Sequence, residues 1–177
     1  MNFNIDDYFS SKTRTIAAIS TILLAVILVI LHYNFVIFLV LTFIIAVANY
    51  FLYKYDVPLD FAPIFSIAVI FFIVFGVWKA VLFVLMAEII PSIFGGGDIG
   101  IDYILDYLVI FISGAIMKAH FTEHIVVAGI ILSIIYFGYS LIISRFFEEF
   151  SPLSIASHFV QLLMNIFCFT TIVYLVI

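Results

Sequence analysis

Long apolar segments separated by short polar breaks make up almost the whole chain. The segments span residues 15–31, 35–53, 61–94, 101–117, 125–143 and 154–177. A membrane-spanning helix needs about 20 apolar residues, whereas the strands of a membrane barrel alternate polar and apolar residues over about ten positions. The segments are too long and too uniformly apolar for such strands. The pattern therefore predicts helices, which satisfy their own backbone hydrogen bonds in lipid.

The segment 61–94 is too long to cross a membrane once. As a single helix it would measure roughly 50 Å, whereas the hydrocarbon core of a bilayer is ~30 Å thick. Gly76 is the natural place for a break, and Trp78 and Lys79 beside it are residue types that anchor helices at the membrane surface. We therefore predict two short spans that meet at Gly76.

A second break is predicted over residues 91–100, which begin with Pro91 and contain three consecutive glycines. With both breaks, the predicted fold class is all-α: a polytopic transmembrane helix bundle of six to seven spans. The N-terminal segment 1–14 is polar and no cleavage site for a signal peptidase follows the first apolar segment. We therefore expect two parts, a cytoplasmic N-terminal segment 1–14 and a single transmembrane domain 15–177.

The composition excludes several classes of protein. Hydrophobic residues make up 67% of the chain and charged residues 10%, against roughly 45–50% and 25% in soluble domains, so a water-soluble fold is excluded. The net charge of −5 argues against a nucleic-acid partner, which would require a basic patch. Cys168 is the only cysteine, and no Cys/His cluster indicates structural zinc. We predict no metal and no cofactor, and as partners the lipid bilayer and either other membrane subunits or a second copy of the chain.

The basic residues favour one orientation in the cytoplasmic membrane. If the N-terminus is cytoplasmic, four basic residues lie inside and two lie outside: Lys12, Arg14, Lys54 and Arg145 against Lys79 and Lys118. Because loops rich in Lys and Arg stay on the cytoplasmic side, we predict a cytoplasmic N-terminus.

Acidic residues in or beside the apolar segments are the candidate ligand-binding groups. Glu88 lies inside an apolar segment, where a charge is costly, so it should face other helices or a wet cavity. The predicted polar partners on other spans are Asn49, Ser113, His158, Gln161 and Asn165. Glu88 is either a ligand or proton site, or a neutral acid hydrogen-bonded to a neighbouring helix. Asp98, Asp102 and Asp106 are spaced four residues apart, which places them on one face of a helix. They either bind a cation or a cationic substrate, or form a helix start, with Asp98 as the cap and the other two in water.

Two short patterns resemble catalytic motifs of membrane proteases. Tyr55–Asp56 and Gly95–Asp98 are similar to the YD and GxGD signatures of intramembrane aspartyl and prepilin peptidases, in which two aspartates activate water. In this alternative Asp56 and Asp98 would be catalytic. Residues 120–124, HFTEH, match the HxxEH spacing of inverted zinc peptidases, but they lie in a short connection between spans, so we interpret that match as coincidental.

A stripe of small residues runs along the first apolar segment at Ala17, Thr21 and Ala25. Small residues spaced by four let two membrane helices approach closely. The stripe therefore predicts a packing surface, either inside the bundle or against a partner subunit.

The middle of the chain resembles two families of membrane proteins. Residues 59–65 (LDFAPIF), 75–97 and 111–117 (FISGAIM) are similar to the S components of energy-coupling-factor vitamin transporters and to the MreD family of rod-shape proteins. Those families carry an Asp at a helix start, a glycine-marked hairpin, an acidic residue late in the next helix and a Gly/Pro-rich loop. The corresponding positions here are Asp60, Pro63, Gly76, Glu88 and Gly95 to Gly97.

The resemblance covers about a third of the chain. It implies a substrate-binding component of a small-solute transporter, with the stripe at Ala17 docking on a coupling subunit. It departs from the family where small residues after the hairpin are replaced by Lys79, Val81 and Phe83, which puts close packing of that helix in doubt. The leading hypothesis is therefore a non-enzymatic solute-binding membrane protein, and the alternatives are an MreD-like scaffold and an aspartyl peptidase.

Overall fold

A computed structural model of the protein describes residues 18–21, 33–97, 100–147 and 151–176. The chain divides after Leu39 into two compact units, Met1–Leu39 and Val40–Ile177. In the first unit, the described residues are a helical stretch at 18–21 and the first turns of a longer helix. In the second unit, the described residues are helical apart from short connections, and no strand occurs among them.

Six helices follow one another along the described residues from Tyr33 onward. They are α1 (Tyr33–Lys54), α2 (Ile64–Phe75), α3 (Val77–Gly95), α4 (Ile101–His120), α5 (Ile125–Phe147) and α6 (Pro152–Val176, with an irregular turn at Ile172). Within that part of the chain, α1, α3, α5 and α6 are long and apolar enough to cross a membrane. The all-helical class is confirmed, with four candidate spans. Helix α4 carries Asp102, Asp106 and Lys118, and α2 is roughly 18 Å long, shorter than the hydrocarbon core.

Helix α2 forms the centre of the second unit. It contacts α3, α4, α5 and α6, and every residue from Ile64 to Phe71 is buried. A helix that is apolar on all faces is stable only when it is surrounded, which explains the central position of a segment too short to span. Aromatic rings complete the packing, since Phe65 stacks on Tyr136 of α5 at 4.2 Å.

The predicted break at Gly76 is confirmed. Gly76 separates α2 from α3 and adopts φ +88°, a conformation that residues with a Cβ rarely adopt. Its N–H donates to the carbonyl of Phe72, so the turn supplies a hydrogen bond to one of the last carbonyls of α2. Trp78 lies two residues after Gly76 and is 82% exposed, as an anchor at a membrane surface would be.

The predicted start of the second break at Pro91 is wrong, because α3 continues through Pro91 to Gly95. Proline has no N–H to donate to the carbonyl four residues earlier, which usually ends a helix. Here that carbonyl belongs to Ala87, and the side-chain amide of Asn49 on α1 donates to it at 2.7 Å. The same region, Leu85–Ile89, is a π-helical turn, an irregularity common near functional sites. A neighbouring helix therefore supplies the hydrogen bond that proline removes.

Helix α1 ends in a Schellman motif centred on Asp56. The N–H of Val57 donates to the carbonyl of Leu52 at 3.0 Å, and the N–H of Asp56 donates to that of Tyr53. Asp56 has φ +48° and occupies the position that is usually glycine. Asp56 therefore ends α1 through its backbone conformation.

The helices of the second unit alternate in direction, so their connections fall at two ends. One end holds the C-termini of α1, α3 and α5, the connection 55–63 and the start of α6. The other end holds Gly76 and the connection 121–124. Away from both ends the outward side chains are apolar, with Phe43, Ile131 and Leu163 more than half exposed. We call the end that holds the C-termini of α1, α3 and α5 the open end, because a large cavity lies there.

Candidate functional site

A cavity of about 750 Å³ lies at the open end of the second unit. Its wall is built by α1, the connection 55–63, α3, α4, α5 and the start of α6. The polar residues that line it are Asn49, Tyr53, Asp56, Asp60, Glu88, Asp102, Tyr103, Asp106, Tyr136, Ser140, Ser144, Ser151, Ser154, Ser157, His158 and Gln161. The volume lies within the range of pockets that bind small molecules.

Helical periodicity explains why so many polar residues reach one cavity. On α4, Asp102 and Asp106 are four residues apart and therefore share a face. On α6, Ser154, His158 and Gln161 follow the same rule, with Ser157 beside them. In each helix the opposite face is apolar and exposed. These helices are therefore amphipathic with the polar face turned inward, as expected for a wet cavity in a bundle surrounded by lipid.

Asp60 is held firmly in the cavity wall before the start of α2. Its Oδ1 accepts a hydrogen bond from the N–H of Ala62 at 2.8 Å, and its Oδ2 accepts one from Gln161 Nε2 at 2.8 Å. Its own N–H donates to Ser157 Oγ at 2.9 Å. Burial raises the pKa of Asp60 from 3.8 to about 6, although the hydrogen bonds from Ala62 and Gln161 oppose the rise. The carboxyl therefore titrates near neutral pH.

Glu88 lies in the π-helical turn of α3 and lines the same cavity. Of the residues that the structure describes, the charged groups close enough to act on it are Asp60 and Asp106, both of its own sign. Its Oε2 is buried and has no hydrogen-bond partner among the described residues, although the hydroxyl of Tyr107 on α4 lies close enough to interact with the carboxyl. The inward orientation predicted for Glu88 is confirmed, and three of its predicted polar partners, Asn49, His158 and Gln161, line the same cavity.

The other predicted site residues fall into two groups. Asp56, Asp102 and Asp106 all line the cavity with Glu88, so the structure brings together residues that are far apart in sequence. Asp98 lies outside the described residues, and the catalytic pairing of Asp56 with Asp98 stays a prediction.

The small-residue stripe also falls mostly on residues that the structure does not describe. Ala17 and Ala25 lie outside the described part of the chain. Thr21 is exposed in the first unit. The stripe therefore stays a predicted packing surface.

Sequence reasoning did not select Ser154 or Ser157 as site residues, and it named Gln161 only as a partner for Glu88. A signal was present, because these residues and His158 recur at helical spacing in an otherwise apolar segment. Asn165 was considered as a partner for Glu88, but its Oδ1 instead accepts a hydrogen bond from the N–H of Ser66 at 3.2 Å. It thereby satisfies one of the free N–H groups in the first turn of α2.

The HFTEH pattern lies at the opposite end of the second unit. His120 is the last residue of α4, and His124 precedes α5, so the two do not share a helix. Among the residues that the structure describes, no three His, Cys, Asp or Glu side chains are grouped closely enough to hold a metal ion.

Comparison with known proteins adds no further assignment. No protein-family model, curated protein or solved structure matches the chain. The interpretation of the site therefore rests on its own geometry and chemistry.

Proposed function

We propose that this chain is a non-enzymatic integral membrane protein that binds a small solute in the cavity at the open end, as the substrate-binding component of a transporter. The observation that carries the proposal is the cavity itself. It is large, it is polar, and it lies inside a helical unit whose outer surface is apolar. Such a combination suits a solute-binding site reached from one side of a membrane.

Buried polar groups without partners support the same function. Besides Glu88 Oε2, Ser154 Oγ and His158 Nε2 are buried and lack a hydrogen-bond partner within the described ranges, and all three residues line the cavity. Burying a polar atom without a partner costs about 1–3 kcal/mol. A bound solute or water would recover that cost. The resemblance to S components points to the same class of protein.

The proposal includes six to seven spans in the cytoplasmic membrane, with a cytoplasmic N-terminus. Helices α1, α3, α5 and α6 would provide four spans, and α4, the segment 15–31 and the short α2 would provide the rest. Lys54 and Arg145 lie at the open end, whereas Lys79 and Lys118 lie at the other. In this orientation the cavity opens toward the cytoplasm.

The function can be tested by asking whether the protein retains a solute. The full chain would be expressed and purified in lipid nanodiscs, and small molecules released on denaturation would be identified by mass spectrometry. Leu52 lines the cavity, so Leu52→Trp should fill it and abolish retention. Leu163 is 52% exposed on α6 and is not part of the wall, so Leu163→Trp is the matched control.

We expect the same released compound from the native protein and from the Leu163→Trp variant, and none from the Leu52→Trp variant. Equal amounts from all three proteins, or no released compound from any of them, would contradict a solute-binding function. That result would be expected of a scaffold.

The orientation can be tested by cysteine labelling. The native Cys168 is buried and gives little background. A cysteine at Phe121, at the end opposite the cavity, should react with an impermeant maleimide in intact cells. A cysteine at the exposed Val57, at the open end, should react only after permeabilisation. The reverse pattern would contradict the cytoplasmic opening.

A further inference from the structure

The charge of the cavity wall identifies the chemistry of its ligand. In the part of the chain that the structure describes, five acidic residues line the cavity, Asp56, Asp60, Glu88, Asp102 and Asp106, and no Lys or Arg does. Asp56 is exposed at the rim, and the other four are partly shielded from solvent. Because low-dielectric walls strengthen the field of such charges, the cavity favours cations and disfavours anions.

The arrangement of the acids inside the cavity distinguishes between kinds of cation. A metal ion requires several ligand atoms that converge on one point. Across the described ranges, no three His, Cys, Asp or Glu side chains converge in this way. The acids lie instead on separate elements: Asp60 on the connection before α2, Glu88 on α3 and Asp106 on α4. Charges distributed along a wall fit a ligand with separated positive groups.

The unpartnered polar atoms favour a hydrogen-bonding cation. Glu88 Oε2, Ser154 Oγ and His158 Nε2 are buried, lack partners within the described residues and line the cavity. Oε2 is an acceptor, Oγ accepts as well as donates, and Nε2 accepts when the proton is on Nδ1. An ammonium group has three N–H donors and no acceptor, so it can satisfy such atoms. A quaternary ammonium has no N–H donor and cannot.

We infer that the solute is a small aliphatic amine with two or more protonated nitrogens, held by Glu88 together with the other acids of the wall. This inference rests on the proposed solute-binding function and specifies its substrate class. One ammonium group would pair with Glu88, and a second would reach the acids on the connection before α2 or on α4. A diamine should therefore bind more tightly than a monoamine of the same length.

The test is isothermal titration calorimetry on the full chain in nanodiscs at constant ionic strength. The probes are 1,4-diaminobutane, 1-aminobutane, 1,4-butanediol, succinate and calcium chloride. We expect the diamine to bind at least tenfold more tightly than the monoamine, and no heat from the diol or from succinate. Glu88→Gln keeps the shape of the side chain and should weaken diamine binding at least tenfold. Asp106→Asn should weaken it as well.

Glu123→Gln is the matched control, because Glu123 is exposed in the connection at the opposite end and the same charge is removed. This variant should bind the diamine as the native protein does. Melting temperatures of all three variants would exclude unfolding as the cause of a loss.

Each contrary outcome has a distinct meaning. Binding of succinate or of the diol without the diamine would overturn the amine class and leave solute binding intact. Calcium binding without diamine binding would assign the cavity to a metal instead. Diamine binding that survives both Glu88→Gln and Asp106→Asn would remove these acids from the site. If no probe binds, the amine inference fails, whereas the solute-retention experiment decides the proposed function independently.

Discussion

Replacing Asp60 by Asn should stabilise the protein at neutral and alkaline pH. Burial raises the pKa of Asp60 from 3.8 to about 6, so the ionised carboxylate is less stable in the folded protein than in the unfolded chain. Asn has no charge and can keep both contacts. Its Oδ1 can accept from the N–H of Ala62, and its Nδ2 can donate to Gln161 once that amide turns over.

The sign and size of the effect follow from proton linkage. Between pH 3.8 and about 6 the folded protein binds more protons than the unfolded chain, so the stability contributed by Asp60 is full below pH 3.8 and is lost as the pH rises through about 6. A pKa difference of this size corresponds to about 3 kcal/mol, an upper limit because water enters the cavity. The Asn variant should be more stable by up to about 3 kcal/mol at pH 8, by about half as much at pH 5, and by nearly nothing below about pH 3.5.

The measurement is SDS-driven unfolding in mixed micelles, followed by circular dichroism at a series of pH values. Because the two proteins share every other titratable group, their difference isolates residue 60. Gln161→Met provides a second check, since it removes a hydrogen bond that lowers the pKa of Asp60 and should move the transition to higher pH. A stability difference that stays constant between about pH 4 and pH 8, or an Asn variant that is less stable at pH 8, would refute the reasoning.

Three further predictions use the same unfolding assay at neutral pH. Gly95→Ala should cost about 1–3 kcal/mol, because its Cβ would lie 2.6 Å from the neighbouring α1 side chain. Gly138→Ala is the control, because a Cβ at Gly138 would have no atom within 4 Å, and this variant should be more stable than the native protein by up to about 1 kcal/mol. Equal effects in the two variants would contradict the close approach of α1 and α3. Asn49→Leu should lower the free energy of unfolding by about 1 kcal/mol, because it removes the hydrogen bond to the carbonyl of Ala87. The loss should be clearly smaller in a Pro91→Ala background, where residue 91 has an N–H for that carbonyl, and additive losses would show that Asn49 does not replace the missing N–H of Pro91. Asp56→Gly should stabilise by about 1 kcal/mol because glycine adopts positive φ without steric cost, and a loss of stability would contradict that conformation.

The helices and one of the two breaks could be predicted from local sequence. Runs of apolar residues long enough to cross a bilayer predict helices, because a helix forms the backbone hydrogen bonds that lipid cannot supply. Gly76 could be predicted to break the segment because it is the only glycine between residues 61 and 94, and glycine adopts positive φ without steric cost. The break at Pro91 could not be judged in this way. Its outcome depends on Asn49, which is 38 residues away from the carbonyl that it binds.

The candidate site could also be predicted from local sequence only in part. Glu88 was identifiable from sequence, because an acid in an apolar segment must face inward, and the spacing of Asp102 and Asp106 placed them on one face. That these acids share a cavity with Asp60, and that Asp60 is bound by Gln161 from 101 residues away, is decided by tertiary packing.

The positions of the helices and the side chains that are too polar for lipid follow from local sequence, because both depend on chemistry within a few residues. The central position of the short, wholly apolar α2 in the second unit follows from helix packing, and the longer helices around it turn their polar faces toward one end. A helix face identifies what must be buried but not its neighbour, since many apolar surfaces pack equally well in lipid. The acidic cavity therefore exists only because six helices meet in one particular arrangement.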